Sequence, residues 1–432
     1  MREENAVGDG GCLLRRATTN WHQRKGIFMV SPQPQQVSLS VPEYCLKATE
    51  TNRFDGSHDG FQSLRFGYFG EIGGLLSEVK KSVRDQLPFS VSEAAAEELG
   101  DALWYLVNVA ACVQVSQNEI GERCIAALRA RLNENEQPAL IPVTFRHIDS
   151  LIEVRREPDS IERSAQLSEL ASAAGVMAKV SLVQFMAMSP PSRAIHFGNH
   201  LMELALTCAS FNLKIEDVAR ANLEKISSRW PKGEISYTAL FDDSYPEHER
   251  FPRKFSIEFI ERGSLGSSHV VQSLNGVFIG DRLTDNSNEP DDYRFHDVFH
   301  LAYVAFLGWS PVFRALLKRK RKSNPRTDEN EDGARAMIIE EGIATWIFNH
   351  AKGQHFYVDA KPGSLDYGLL KQIQGMVEGY EVSACKLWQW EKAILTGFQV
   401  FRLLQAHRGG SVEIDLNAHT MSFKPFTQNE KL

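Results

Sequence analysis

The feature that most constrains this fold is a series of helical patterns in the first half of the chain. Apolar residues recur there at three- and four-residue spacing, which predicts helices at about 62–83, 94–113 and 117–132. Pro88 separates the first helix from the second, because proline removes a backbone donor and cannot continue a helix. Consecutive amphipathic helices bury their apolar stripes by packing on one another. The pattern therefore predicts a helical bundle.

This helical pattern returns further along the chain. A shift of 98 residues aligns segment 98–120 with 196–218 without a gap, including a glycine inside each helix. The apolar positions are kept, whereas the acids of the first copy are not. Any two amphipathic helices can be aligned to some extent, but an ungapped match of this length favours duplication. We interpret residues 38–232 as two half-bundles, 38–135 and 160–232, packed together as a pseudo-dimer.

The character of the sequence changes after residue 233. Short β-like runs separated by glycine occur at 255–261, 270–274 and 276–279, and helical patterns return at about 293–307, 312–319, 334–351 and 369–406. These patterns predict an α+β domain over 234–432. The predicted fold class is therefore mainly α, a tandem helical bundle followed by an α+β domain. Residues 1–37, with early glycines and a Pro/Gln-rich stretch, are predicted to be a disordered leader.

Composition limits the class of protein. The chain has 432 residues and a formal net charge of −7, so two or three domains are expected and the chain as a whole is no polyanion binder. No apolar run approaches the roughly 20 residues that span a bilayer, which predicts no membrane segment. Six scattered cysteines without a C-x-x-C pair fit a reducing, cytoplasmic location.

Carboxylates cluster on the first two predicted helices. Glu71 and Glu78 lie two turns apart, and Glu98 and Asp101 lie one turn apart on the next helix, so each pair shares a helix face. Inward-facing acids on neighbouring helices repel one another unless cations neutralise them. Hard oxygen ligands of this kind suit Mg²⁺ or Mn²⁺ bridging to phosphate. The alternative is a solvated acidic face, the usual place for helical acids.

The residues around these acids resemble a known family. Residues 69–81, F-G-E-I-G-G-L-L-S-E-V-K-K, and 96–106, A-E-E-L-G-D-A-L-W-Y-L, are similar to the E-x-x-E and E-x-x-D helices of the MazG-like all-α nucleoside triphosphate pyrophosphohydrolases. The resemblance implies that Glu71, Glu98 and Asp101 bind Mg²⁺ and serve catalysis. One position departs from the family pattern. Where the E-x-x-E helix of the family has its second acid, this chain has Gly74. Glu78, one turn later, is the candidate substitute.

The second half-bundle ends in a segment similar to the closing helix of that family, at residues 212–231. The resemblance places phosphate-side residues there, and the predicted substrate-binding set is Lys80, Asn108, Asn222, Lys225 and Arg229. One pocket would then be built from two unlike halves of the same chain. Family members commonly build each pocket across a protomer interface, so a homo-oligomer is also considered. The implied reaction converts a nucleoside triphosphate and water to a nucleoside monophosphate and pyrophosphate.

A second polar cluster lies in the predicted α+β domain. His296 and His300 are four residues apart on a helix, a spacing used by zinc sites, and Glu340 and Glu341 interrupt an apolar helix. We predict a second divalent metal held by His296, His300 and Glu341. The pattern resembles H-E-x-x-H metallohydrolases only loosely, because Asp297 replaces the glutamate, and its H-D pair is similar to HD phosphohydrolases. The alternative is a pair of core histidines hydrogen-bonded to the glutamates.

A basic run from Lys318 to Lys322 precedes an acidic stretch at 328–332. Such runs are usually solvated loops, and the functional alternative is an arm that binds the phosphates of a nucleotide or nucleic acid. The leading hypothesis is a Mg²⁺-dependent nucleotide pyrophosphohydrolase. The alternatives are a catalytically degenerate nucleotide-binding regulatory protein, or a metallohydrolase whose main site is the C-terminal His/Glu cluster.

Overall fold

The first half of the chain folds into helices. In this computed structural model, which describes residues 37–85, 91–133, 140–153, 160–233, 235–263 and 268–427, they are α1 Val41–Glu50, α2 His58–Asp85, α3 Val91–Cys112, α4 Gln117–Leu132, α5 Phe145–Glu153, α6 Ser160–Lys179, α7 Leu182–Ala187, α8 Pro190–Ser210 and α9 Ile215–Arg229. The helices predicted from periodicity occur, with α2 and α3 starting a few residues earlier than expected. The predicted leader falls almost entirely outside the described residues.

Helices of the two predicted halves pack across one another. Helix α4 packs against α8, and α9 packs against α3. Two glycines related by the 98-residue shift permit these close approaches. A Cβ on Gly100 would meet Asn222 at 3.2 Å, and one on Gly198 would overlap Arg123. The equivalent use of both glycines supports the interpretation of two related half-bundles, which stays a prediction.

The second half combines a sheet with helices. Its strands are β1 Lys254–Arg262, β2 His269–Leu274, β3 Val277–Leu283, β4 Gly409–Asp415 and β5 Thr420–Lys424, and its helices are α10 Asp297–Leu307, α11 Pro311–Leu316, α12 Pro325–Asn330, α13 Ala334–Lys352, α14 Tyr367–Met376 and α15 Leu387–His407. The five described strands form one antiparallel sheet in the order β3-β2-β1-β4-β5. The molecule is therefore mainly helical, with a small sheet in its C-terminal region.

Two details of the second half differ from the sequence prediction. The last two strands were not predicted, because β4 begins with two glycines at positive φ, Gly409 and Gly410. The single helix predicted over 369–406 is wrong. Helix α14 ends at Met376, Gly379 has a φ of +84°, and a 3₁₀ turn intervenes before α15 begins. Such a left-handed position stops a helix.

The hydrophobic interior consists of two clusters. One is formed by α1–α9, and the other by the sheet with α10, α11 and α13–α15. Residues from Leu39 onward nevertheless form one compact unit. Gly363, in the loop before α14, joins the two clusters because its carbonyl oxygen accepts hydrogen bonds from Arg53 Nη1 at 2.6 Å and Trp230 Nε1 at 3.2 Å. Within the described residues no helix is both long and apolar enough to cross a bilayer.

Candidate functional site

Helix α9 carries three of the predicted substrate-binding residues, and its start is fixed by another helix. Lys214 precedes α9 without offering a side-chain cap. Instead the carboxylate of Asp149, on α5, accepts hydrogen bonds from the backbone N–H groups of Ile215 at 2.9 Å and Glu216 at 3.1 Å. A carboxylate at a helix N-terminus satisfies free donors and complements the helix dipole. This contact fixes the first turn of α9 against α5.

Three predicted acids, Glu71, Glu98 and Asp101, meet where α2 packs against α3. Glu71 hydrogen-bonds to the carboxylate of Glu98, and burial together with the charges of Asp101 and Glu98 raises the pKa of Glu71 to about 8. Burial likewise raises the pKa values of Glu98 and Asp101. Burial and mutual repulsion therefore favour the protonated forms of these carboxyl groups.

Helix α9 brings a cation and an amide to this acid cluster. Lys225 Nζ lies 2.5 Å from Asp101 Oδ2 and 3.3 Å from Glu97 Oε1. Asn222 donates a hydrogen bond to Asp101 Oδ1 at 3.0 Å and accepts one from the hydroxyl of Tyr44 at 2.8 Å. Burial disfavours the charged amine, but Asp101, Tyr367 and Glu97 together raise the pKa of Lys225. Both oxygens of Asp101 are thus engaged by α9.

The second half of the molecule also contributes to this site. The hydroxyl of Tyr367 donates to Glu97 Oε1 at 3.2 Å, and Lys371 forms an ion pair with the other oxygen of Glu97. The ring of Tyr367 lies under Lys225, with 4.1 Å between Nζ and the ring centroid. These α14 residues lie about 270 positions from Glu97 in sequence, so no local motif identified them.

Several of these side chains line a cavity of about 360 Å³, which we call the acid pocket, while Glu98 and Asn222 contact lining residues without lining it themselves. Its lining comprises Thr51, Arg53, Phe54, Glu71, Asp101, Trp104, Tyr105, Lys225, Ile226, Arg229, Trp230 and Tyr367. Arg229 donates to the carbonyl of Leu365 at 2.7 Å, and its Nε is buried without a partner among the described residues. Arg53, Arg229 and Trp230 also line an adjoining cavity of about 800 Å³. The acid pocket has the size of a small-molecule site.

Three predicted site residues lie outside the acid pocket. Glu78 pairs with Lys81 on the surface of α2 at 2.5 Å. Lys80 is exposed and lines a separate groove between α2 and α6. Asn108 is fully buried and donates to the carbonyl of Trp104 one turn earlier at 2.8 Å. A shared helix face thus did not suffice to place these residues, because the helix length over which α2 and α3 face the cavity is short.

The second predicted cluster comes together in the C-terminal half. His296 and Asp297 stand at the start of α10, His300 follows one turn later, and Glu340 and Glu341 project from α13. His300 Nδ1 lies 2.7 Å from Glu340 Oε1, and His300 Nε2 lies 3.4 Å from Glu341 Oε2. Burial opposes a charged ring, but Glu340 and Glu341 together raise the pKa of His300 well above its usual value. Asp297 was not among the predicted ligands.

The basic run does not form one exposed surface. Arg321 is fully buried, with its Nη2 2.7 Å from Asp332 Oδ1 and 2.6 Å from Glu381 Oε1. Lys318 and Lys322 are exposed. The acidic stretch therefore does supply an internal counter-charge, while the proposed contact with nucleic acid stays a prediction.

Comparison with known proteins bears on the second half of the chain. Residues 236–427 match the family model described as the MazG C-terminal domain. The "Gene 37 protein" of Mycobacterium phage L5 is 28% identical over 101 residues, which represent 22% of this chain and 89% of that protein. No solved structure matches significantly. The family match is consistent with a MazG-like protein of broadly nucleotide-related function, and it rests on a different part of the chain from the acid motifs.

Proposed function

We propose that the protein is a divalent-metal-dependent nucleoside triphosphate pyrophosphohydrolase with the acid pocket as its active site. One observation carries this proposal. Glu71 and Asp101 line the acid pocket, Glu98 hydrogen-bonds to Glu71, and the part-buried Lys225 pairs with Asp101. A surface face of solvated acids would not be buried or enclosed in this way. The family match in the second half is consistent with the proposal.

The residues present fit a hard divalent cation. The raised pKa of Glu71 reflects burial first and then repulsion from Asp101 and Glu98, and a bound cation would offset both. Glu71, Glu98 and Asp101 are the side chains that would hold Mg²⁺ or Mn²⁺. When bound, the ion would neutralise phosphate charge and make water a better nucleophile.

The other side chains of the acid pocket suit a nucleotide. Lys225, Arg229 and Arg53 supply positive charge for a polyphosphate, and the Nε of Arg229 is a free buried donor. Trp104, Tyr105 and Trp230 supply aromatic faces on which a base can stack. The oxygen of the attacking water would bond to the α-phosphorus while the bond between that phosphorus and the oxygen bridging it to the β-phosphorus breaks. Pyrophosphate would leave with the bridging oxygen, and the proton released by the attacking water would pass to solvent.

One observation favours a second candidate, a nucleotide-binding protein without turnover. The family acid is replaced by Gly74, and a Cβ at this position would overlap the carboxylate of Glu98. Glu98 therefore lies in space that a side chain at position 74 would occupy. A site with one acid fewer could retain a nucleotide without cleaving it.

The test is a panel of nucleoside and deoxynucleoside triphosphates with Mg²⁺, with the products identified by chromatography. We expect at least one nucleotide to yield its monophosphate and pyrophosphate. Glu98→Gln should lower kcat by about 100-fold or more, because it removes charge at the reacting phosphates. Glu78→Gln is the matched control, since Glu78 lies on α2 outside the acid pocket and should leave kcat unchanged.

Other outcomes would separate the candidates. Nucleotide binding to wild type without any cleavage would overturn the hydrolase and support the binding protein. Activity that survives Glu98→Gln but is lost in His296→Ala would move the active site to the C-terminal cluster.

A further inference from the structure

We infer that His296, Asp297, His300 and Glu341 together bind one transition-metal ion, at a site separate from the acid pocket. The ligand atoms of His296, Asp297 and His300 all lie within 4.8 Å of one another. Glu341 reaches the same point from α13, with its Oε2 3.9 Å from His296 Nε2 and 3.4 Å from His300 Nε2. This four-residue group is called the His/Asp/Glu site below, and its inference does not depend on the proposed hydrolase.

The orientation of both imidazoles leaves the same nitrogen facing the centre of the site. His296 Nδ1 lies 2.8 Å from the carbonyl oxygen of Tyr293, which can only accept, so Nδ1 carries the proton. His300 Nδ1 lies 2.7 Å from Glu340 Oε1. With both Nδ1 atoms occupied by these partners, each ring has only its Nε2 atom left to offer to a metal ion. A neutral imidazole in this arrangement is the ordinary form of a histidine metal ligand.

The buried Nε2 of His300 makes no well-formed hydrogen bond in the described part of the chain, although Glu341 Oε2 lies 3.4 Å away. His300 itself is completely buried. Leaving a buried polar atom unpaired costs roughly 1–3 kcal/mol, so native proteins rarely tolerate one without a reason. Because this atom points at three other ligand-type groups, a metal ion would satisfy it. A pair of ordinary core histidines would instead have both ring nitrogens hydrogen-bonded.

Two of the separations between ligand atoms are those that a small metal ion requires. His296 Nε2 lies 3.1 Å from Asp297 Oδ1, and His300 Nε2 lies 3.4 Å from Glu341 Oε2. Ligands held about 2.1 Å from one ion are about 3.0–3.4 Å apart in octahedral or tetrahedral geometry. The remaining separations, which include 3.9 Å between Glu341 Oε2 and His296 Nε2, would shorten as the side chains close on an ion.

Outer residues hold the ligands in place. Glu340 is completely buried, and besides its contact with His300 it accepts a hydrogen bond from the backbone N–H of Val312 at 2.8 Å. Gln272, on β2, donates to Asp297 Oδ2 at 2.5 Å and leaves Oδ1 directed at His296. Carboxylate–histidine–metal relays of this type fix the ring orientation and raise ligand basicity. Glu340 is therefore a positioning residue and Glu341 a ligand.

The donor set selects the class of metal. Two imidazole nitrogens and two carboxylate oxygens suit Zn²⁺, Fe²⁺ or Mn²⁺ over Mg²⁺ or Ca²⁺, which prefer oxygen ligands alone. Glu341 is the exposed member, with 44% of its side chain accessible. An ion here would be reachable from solvent through that side.

The experiment titrates the chelator-treated full-length protein with Zn²⁺ in competition with a chromogenic chelator, in excess Mg²⁺. We expect one Zn²⁺ per chain, and Glu341→Gln and Asp297→Asn should each weaken binding at least tenfold. Glu341→Gln changes a partly exposed side chain, so it should fold as wild type does. Glu378→Gln, on an exposed residue, is the charge-matched control and should bind like wild type.

A Glu98→Gln variant distinguishes the two sites. It should retain the same Zn²⁺ stoichiometry, because Glu98 is hydrogen-bonded to Glu71 of the acid pocket. The inference is overturned if wild type binds no Zn²⁺, or if Glu341→Gln and Asp297→Asn both titrate as wild type. Loss of Zn²⁺ binding in Glu98→Gln alone would also overturn it.

Discussion

At the residue scale, Gly74 determines where the carboxylate of Glu98 lies. Glu98 approaches the α2 backbone at a point where any larger residue would overlap its oxygens. Gly73, its neighbour on the same helix, has open space where a Cβ would lie. An alanine at either position changes the helix backbone in the same way, but only an alanine at position 74 would also contact Glu98.

Gly74→Ala is expected to lower kcat/KM for the cleaved nucleotide at least tenfold, because Glu98 must move and small displacements of reacting groups cost about 100-fold. Gly73→Ala should leave kcat/KM unchanged. Both substitutions should gain up to about 1 kcal/mol of helix stability, since each replaces a helical glycine with alanine. Steady-state kinetics and thermal unfolding measure the two effects. Equal kinetics in the two variants would contradict this role of Gly74.

At the scale of elements, α2 and α8 are joined by a buried pair. The hydroxyl of Tyr68 lies 3.1 Å from Nδ1 of His200, and the two rings pack edge to face. Burial, with a smaller contribution from His196, lowers the pKa of His200 to about 3. The native contact between these helices therefore requires a neutral imidazole.

This gives the stability of the helical half a pH dependence. Because the unfolded chain binds a proton near pH 6.5 and the folded chain does not, the contribution of His200 is complete above that pH and is lost as pH falls towards 3. Between pH 7 and pH 5, wild type should lose about 2 kcal/mol more unfolding free energy than His200→Gln. Urea denaturation at both pH values measures this difference. His248→Gln, at an exposed histidine, should lose as much unfolding free energy between the two pH values as wild type does. If His200→Gln also loses as much as wild type, the pH dependence does not come from His200.

At the scale of the whole molecule, the helical half and the C-terminal half meet beside the acid pocket. The carbonyl oxygen of Gly363 accepts hydrogen bonds from the side chains of Arg53 and Trp230, and its N–H donates to Glu391 Oε2 at 2.8 Å. Its φ is +84°, and a Cβ would overlap Arg53 Nη1. Gly379 has the same φ with open space around it.

Gly363→Ala should lower the unfolding free energy by about 1–2 kcal/mol more than Gly379→Ala, because only the first adds a steric clash to the backbone strain. It should also raise KM for the nucleotide, since Arg53 and Trp230 line the acid pocket. Denaturation and kinetics on both variants provide the measurement. Indistinguishable behaviour of the two would show that the junction does not organise the pocket.

Sequence patterns predicted the elements whose signals are local. The helix limits at 117–132 agree with α4, and the acids of α2 and α3 were identified from spacing and resemblance. Spacing could not decide which acids share a pocket. Glu71 and Glu78 are both candidates on one helix face, yet the packing of α3 and α9 reaches only Glu71. Helical periodicity specifies a face, whereas the crossing of neighbouring helices selects a few residues along it.

By itself the sequence determined a mainly helical first half, a mixed second half and two groups of metal-type ligands, because these depend on interactions between residues a few positions apart. Tertiary structure alone decided that Tyr367 and Lys371 reach Glu97, and that Asp297 joins His296, His300 and Glu341. It also turned Arg321 of the basic run inward to Asp332. The physical reason is that burial and charge pairing depend on which distant surfaces pack together, and no local pattern records that choice.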